Sequence, residues 1–368
     1  SKRFRSKEGD LYTNVHTQQI KLKFDLVSQI GEHHYFKSGV EYNRIDIDHR
    51  MWLKWNSTGP YNTYEYNYHR VPSQTGLYLQ DQISYSGIVA NVGGRFDYYY
   101  GGGGKWPTGD PFSEAFTSAF GGAPTEPGAA ADSFYQALAD GRSLIWEKWE
   151  EYDKEHPGFL QPIKNHLIFS PRLGISFPVT ERSKFYFNYG HFRSNPPYST
   201  MYLYRYRYDK NGVYEMSNPN LEPPKTISYE MGLAYEMFYN IILTASGYYK
   251  DVSGQTGDIN YINSSGTVDY ERWDNNNYED IEGLEINITK NDNSWITGWF
   301  NFNYMLRKSG YTGRATISDA TIDEELVGLY QASESRFLPK PILNTNITFS
   351  TPNSFASNSF LNAILSNF

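Results

Sequence analysis

The feature that most constrains this chain is a regular alternation of large apolar residues with polar or small ones, in paired runs joined by short turns. Tyr229, Met231, Leu233, Tyr235 and Met237 share one parity, while Ser228, Glu230, Gly232, Ala234 and Glu236 share the other. Successive side chains of a strand point to opposite faces, so this run predicts a strand that is apolar on one side only. A helix would scatter Glu230 and Glu236 into its apolar stripe. Tyr239-Asn240 makes a tight turn. Beyond it, Ile241, Leu243, Ala245, Gly247 and Tyr249 alternate with Ile242, Thr244, Ser246, Tyr248 and Lys250. Two such runs around a short turn read as a hairpin.

The pattern recurs along the chain. Ile20, Leu22, Phe24 and Leu26 alternate with Lys21, Lys23 and Asp25, turn near Gly31-Glu32 and return through about Asp48. A second hairpin spans about 75–100 and turns near Ser86-Gly87; its return strand sets Asn91, Gly93, Arg95 and Asp97 against Ala90, Val92, Phe96 and Tyr98. A third spans about 166–193, where Leu173, Ile175 and Phe177 oppose Arg172, Gly174 and Ser176, with Pro178 to Lys184 as the turn. After the hairpin at 225–250, a fifth spans about 279–307, with Leu284, Ile286 and Ile288 outward and a turn at Asn291-Asp292-Asn293. An eleventh strand starts near Pro341, with Leu343, Thr345, Ile347 and Phe349 on one parity.

Short turns within hairpins alternate with connections of roughly 20 to 65 residues between them. In an up-and-down barrel this places every tight turn at one rim and every long loop at the other, the asymmetry of outer-membrane barrels. A soluble sandwich has less reason to sort its loops in this way. The loop at 101–165 predicts a helix from about Asp132 to Glu155, with Asp132 as N-cap and Phe134, Leu138, Ile145 and Trp149 on one side. The loop at 202–216 predicts a small hairpin: Tyr202, Tyr204, Tyr206 and Tyr208 alternate with Leu203, Arg205, Arg207 and Asp209 before a type I′ turn at Asn211-Gly212.

Composition fits this reading without forcing it. Of 368 residues only 39% are hydrophobic, yet 33 are Tyr and 8 are Trp. Rings with a polar tip suit a sheet crossing a membrane interface, and they equally suit a carbohydrate-binding sandwich. No run approaches the roughly 18 apolar residues of a membrane helix, which leaves a barrel open because its strands alternate. There is no Cys, so disulfides and thiolate chemistry are excluded. The net charge of −8 argues against nucleic acid as a partner. No signal peptide follows Ser1, which predicts either its removal or a start within a longer protein.

Three stretches resemble the TonB-dependent outer-membrane receptors. Asn218-Pro219-Asn220-Leu221-Glu222-Pro223-Pro224-Lys225-Thr226, followed by Tyr229-Glu230-Met231-Gly232, is similar to the proline-marked segment that feeds a barrel strand there. Proline gives up a backbone donor, so it belongs just ahead of the ladder. Residues 78–99 resemble the family's hairpin with Gln-Asp on one strand and Gly-x-Arg-x-Asp on the next, and 170–192 its Ser-Pro-Arg strand and Tyr-Gly-His return. The style is most similar to receptors of the Bacteroidetes type. The resemblance implies a 22-stranded barrel behind a plug domain. About eleven strands are visible and nothing resembles a plug or a TonB box, while 360–368 reads as a strand cut short. The expectation is therefore an all-β, antiparallel, up-and-down transmembrane β-barrel with long extracellular loops, residues 1–368 being about half the barrel domain.

The resemblance implies active import of a scarce nutrient (siderophore, vitamin, peptide or glycan) across a bacterial outer membrane. Its implied partners are the outer-membrane lipid, the TonB complex acting through the plug, the small-molecule or oligomeric nutrient, and a surface lipoprotein. A passive porin or adhesin, and a soluble carbohydrate-binding β-protein, are the alternatives the strand pattern leaves open. No cofactor and no enzymatic activity are expected, since no nucleophile–base arrangement or carboxylate pair stands out.

Candidate sites fall in two groups. Arg95, Asp97, Arg172 and Glu230 lie on the polar parity of their strands, where they would line the lumen or face the plug; a paired charge lattice is the plainer role. Trp52, Trp55, Tyr64 and Tyr66 in one loop could stack on a ring, and Tyr204, Arg205, Tyr206 and Arg207 in another could hold an anion by charge and cation–π contact. Packing of loops against the rim is the plainer role for both. His33-His34 and the Asp274–Asp280 stretch make poor metal sites, the latter for want of the loop glycine. Gly101 to Gly104 lacks the Lys-Ser/Thr of a phosphate loop.

Overall fold

The computed structural model describes residues 2–5, 9–55, 62–65, 67–108, 110–116, 133, 136, 140, 144–207, 212–292, 295–319 and 334–350. Eleven long strands form an antiparallel meander in chain order: β2 (Gly9–Ile30), β3 (His34–Trp55), β6 (Ser73–Tyr85), β7 (Ile88–Tyr100), β10 (His166–Thr180), β11 (Ser183–Arg193), β14 (Lys225–Glu236), β15 (Ile241–Ile262), β16 (Asp269–Lys290), β17 (Ile296–Tyr311) and β20 (Ile342–Phe349). The short pieces are β1 (Lys2–Arg5), β4 (Asn62–Glu65), β5 (Tyr68–Arg70), β8 (Lys105–Pro107), β9 (Leu160–Pro162), β12 (Tyr204–Arg207), β13 (Gly212–Met216), β18 (Thr316–Ser318) and β19 (Glu334–Phe337). Among the described residues β2 pairs with β1 and β3, and β20 with β17.

The predicted turns near Gly31, Ser86 and Tyr239 join their strands at the same rim, and Asn293 of the fifth predicted turn lies outside the described residues. Ser86 and Gly87 both take positive φ, 49° and 83°, the two left-handed residues of a type I′ hairpin. The turn between β10 and β11 is tighter than the Pro178–Lys184 expectation. The strands pair through Thr180↔Ser183, and a register shift between Pro178 and Thr180 absorbs the proline that cannot donate to the ladder.

The alternation sorts the two faces. Ile20, Leu22, Phe24 and Leu26 are 51–65% exposed, as are Leu77, Phe96, Phe169 and Met231 on their own strands at 50–58%. The opposite face carries Lys21, Lys23, Asp25, Glu41, Arg95, Asp97, Asn188 and Glu230. On β7 the apolar parity runs from Ile88 to Tyr98, close to the roughly 9–11 residues of a tilted membrane-crossing strand. Exposed rings mark both ends of this band, with Tyr85, Phe238 and Trp295 near the short turns and Tyr98, Tyr100 and Tyr249 near the long connections. No helix among the described residues is long and apolar enough to cross a membrane.

Glycines on the polar face seat rings from the neighbouring strand. Tyr78 is paired with Gly39, Tyr186 with Gly232 and Tyr248 with Gly283. A Cβ on Gly232 or Gly283 would stand 2.5 Å from the facing tyrosine ring. These joints fix register in strands whose polar face has no dry core to do so.

One loop expectation changes. The stretch 251–279 is strand, not open loop: β15 and β16 continue well beyond the apolar band and meet at a turn over 263–268. Pairing slips between Val252 and Gly257, and asparagines repair the ladder there. Asn275 Nδ2 donates to Gly254 O at 2.7 Å and Asn277 Nδ2 to Thr256 O at 3.2 Å. The Asp274–Asp280 stretch is thus part of a strand. In the long loop, the described helix covers Leu144–Glu155; Asp132, Phe134 and Leu138 lie outside the described residues.

Candidate functional site

The long connections fold together as one cap with its own core. Trp149, Ile145 and the half-buried Tyr152 lie three and four residues apart on the helix Leu144–Glu155, and this face packs on Phe116 and Phe159 of the same loop. Across the interface stand Tyr204, Val213 and Met216 from the β12–β13 hairpin, and Val268 and Tyr270 from the tip of β15–β16. Trp106, Trp149, Tyr204 and Tyr270 are at most 2% exposed. Buried polar tips find carbonyls: Trp149 Nε1 donates to Ala115 O at 3.1 Å, Trp106 Nε1 to Ser217 O at 3.0 Å and Tyr270 OH to Pro111 O at 3.1 Å. Burial pushes the Tyr202 and Tyr270 hydroxyl pKa values well above the ordinary 10.

The backbone carries the cap across the sheet. β4 pairs with the end of β3 and with β12, β12 with β13, and β13 in parallel with β16. The tips of β3 and β16, far apart in the meander, are thereby joined through the cap. Register brings the two aromatic loops of the sequence together: Tyr64 is opposite both Leu53 and Arg207, and Glu65 opposite both Trp52 and Tyr206. The side chains of Trp52, Trp55, Tyr64, Tyr206 and Arg207, and all of Tyr66, lie outside the described residues.

Tyr204 and Arg205 are placed differently from one another. Tyr204 lies inside the cap core, edge-on to Trp106 and Trp149. Arg205 Nε lies 2.9 Å from Glu215 Oε2, and the same buried carboxylate accepts Trp273 Nε1 at 2.8 Å. Tyr204 is thus a ring of the cap core, and Arg205 is paired within the cap.

On the wall below, the four lumen candidates share the polar face. Asp97, 3% exposed, accepts from Arg95 at 2.9 Å and from Gln74 at 3.0 Å, and Arg95 also reaches Glu41 at 3.6 Å. Glu41 pairs with Lys21 at 2.6 Å, and Asp25 with Lys23 at 2.8 Å and with the Tyr78 hydroxyl. Arg172 stacks 4.9 Å over the Phe192 ring. Glu230 faces Tyr186 and Asn188, both at 3.4 Å. Paired charge dominates this lattice. Between cap and wall, Gln74, Tyr99, Tyr198, Tyr202, Leu221 and Pro223 line a cavity of about 30 Å³, enough for a water and too small for a nutrient.

Sequence reasoning missed Arg70 and Trp106. The Gly101–Gly104 run pointed to them. Gly102, Gly103 and Gly104 all take positive φ, and this left-handed backbone folds close to Val71, Tyr100 and Arg70. The guanidinium of Arg70 lies 5.9 Å from the Trp106 ring centroid and 5.5 Å from that of Trp146. Burial holds its pKa below the ordinary 12.5.

A membrane-facing apolar band, a charged inner face and a packed extracellular cap define a receptor-type outer-membrane barrel rather than a soluble sandwich. The sequence matches the model of the TonB dependent receptor-like β-barrel over residues 2–356, and the chain belongs to that family of outer-membrane transport receptors. Among solved structures it is similar to the outer-membrane transporter YddB from Escherichia coli, at 13% identity and a TM-score of 0.48, covering 82% of this chain and 34% of that one. It is also similar to the Serratia marcescens hemophore receptor HasR (12%, 0.47, covering 84% and 51%) and to the copper transporter OprC (11%, 0.48, covering 94% and 49%). The chain thus spans about a third to a half of these structures. No curated protein matches the sequence.

Proposed function

We propose that this chain forms part of the barrel wall and the extracellular binding cap of an active importer in the outer membrane of a Gram-negative bacterium. The supporting observation is the family match over residues 2–356 on a sheet whose apolar face is outward and whose inner face is charged. In this reading residues 1–368 are one part of the barrel domain. A plug domain elsewhere in the protein seats against the inner face near Arg95, Asp97, Arg172 and Glu230, and TonB draws on the plug to release the nutrient. Captured small molecules or oligomers meet the cap first, including the ladder that joins Trp52 and Tyr64 to Tyr206 and Arg207, with Trp55 and Tyr66 as further candidates of the same loop. A surface lipoprotein would engage the same rim.

The test uses the full-length protein in cells. Deleting 194–223 removes Tyr202, Tyr204 and the β12–β13 hairpin, and should abolish nutrient binding while leaving membrane insertion intact. Uptake should also stop when the proton gradient is collapsed. Uptake that continues without the gradient would point to a passive pore, and undiminished uptake after the deletion would remove the cap from the mechanism.

A further inference from the structure

Arg70 differs from the acid-paired arginines around it. Arg50 is paired with Asp48 at 2.7 Å, Arg95 with Asp97 at 2.9 Å and Arg205 with Glu215 at 2.9 Å. Arg70 has no carboxylate partner among the described residues. One Nη donates to the His69 carbonyl at 3.2 Å, and Nε is covered with no hydrogen-bond partner among the described residues. On the facing strand β3, Asp46 is taken by His69 at 2.9 Å and by Arg44 at 3.8 Å, and Asp48 by Arg50 at 2.7 Å. Two indoles flank the guanidinium, while Tyr202 and Tyr204 stand close enough to feel its charge. Beside it Gly104 offers only backbone: a Cβ there would come within 3.9 Å of Nη1.

A covered guanidinium donor with no acceptor among the described residues is costly to leave unpaired, and an anion reaching the guanidinium would offset that cost. Cation–π contact recovers only part of that cost and leaves Nε unused. The arrangement is that of a receptor for an oxyanion: planar donors, aromatic walls and a side without side-chain bulk. We propose that Arg70, walled by Trp106 and Trp146, is an anion-recognition site in the extracellular cap, and that it takes a ligand bearing carboxylate or phosphate oxygens. This deepens the importer reading, since it gives the chemical class of the captured molecule and rests on the cap being the capture surface.

The experiment is a tryptophan-fluorescence titration of the purified full-length protein in detergent. The probes are citrate and inorganic phosphate, with sorbitol as the neutral control. Trp106 and Trp146 touch the site, so occupancy should change their emission saturably for at least one anion and not for sorbitol. R70Q should weaken that binding at least about 10-fold, the scale of a lost charge-assisted hydrogen bond, and added NaCl should weaken it in the wild type. R70K, which keeps the charge and loses the planar donors, should fall between the two. Thermal melting of each variant checks that the cap is still folded. If R70Q disturbs the fold, protection of Arg70 from phenylglyoxal by citrate in the wild type gives the same answer. A wild type that responds to neither anion, or an R70Q that titrates like the wild type, overturns the site. Transport is not needed for this readout: anion binding without gradient-driven uptake would sink the importer reading alone, and uptake without anion binding would sink this inference alone.

Discussion

Trp149→Ala tests whether the loops form one cooperative cap or merely lie together. Trp149 is fully buried, its ring contacts Phe116, Trp146 and Tyr204, and its Nε1–H satisfies Ala115 O. Truncating a buried Trp to Ala costs about 3–5 kcal/mol, which includes the cavity left behind, and orphaning the Ala115 carbonyl adds about 1 kcal/mol. Taking about 4 kcal/mol, local opening becomes roughly 10³-fold easier at about 1.4 kcal/mol per decade. The assay is amide hydrogen exchange on the full-length protein. Exchange should accelerate together in three separate segments: 144–163, 212–217 and 268–271. Amides in the middle of β10 and β11 should not change, because their bonds are made within the barrel ladder. Acceleration confined to the helix 144–155 would refute the single-core argument, since the hairpin and the β15–β16 tip would then hold their structure without Trp149.

Further outcomes follow from the faces of the sheet and the charges of the cap. Gly232→Ala should destabilise the barrel by about 1–3 kcal/mol, because the new Cβ meets the Tyr186 ring, and Tyr186→Ala in the same protein should recover much of it; a double-mutant cycle by denaturant unfolding in detergent would show additivity if the joint does not exist. Leu22→Arg puts a charge on the outward face and should cost about 2–4 kcal/mol near mid-membrane, read as lost folded protein in the membrane fraction; insertion at wild-type level would argue that this face does not meet lipid. Asp153 accepts the Leu160 N–H at 2.9 Å and pairs with Lys105 at 3.0 Å, and these contacts hold its carboxyl below the ordinary 3.8. A lowered folded pKa contributes stability above the ordinary value and loses it as pH falls through the folded one, so the cap should loosen below about pH 4. Asp153→Asn should make that acid transition shallower in a tryptophan-emission titration; an unchanged transition would remove Asp153 from it.

The sequence by itself determined the wall. Strand, turn and facing are local properties, since a period of two in Ile20–Leu26 or Tyr229–Met237 settles which side chains share a face before any partner is known. The hairpin order, the short turns at one rim, and the outward Leu22, Phe96 and Met231 all follow from it. The lumen lattice was half legible: parity placed Arg95, Asp97, Arg172 and Glu230 on one face, but their partners Glu41, Gln74 and Phe192 come from other strands and depend on register. Tertiary structure alone decided the cap. Tyr204 and Arg205 alternate as an exposed hairpin would, yet Trp106 and Glu215, distant in sequence, make one a core ring and the other a paired charge. Arg70, in a three-residue strand, gains its character only when the glycine-led loop brings Trp106 and Trp146 against it. Alternation records which way a side chain points, and only the folded chain decides what it meets there.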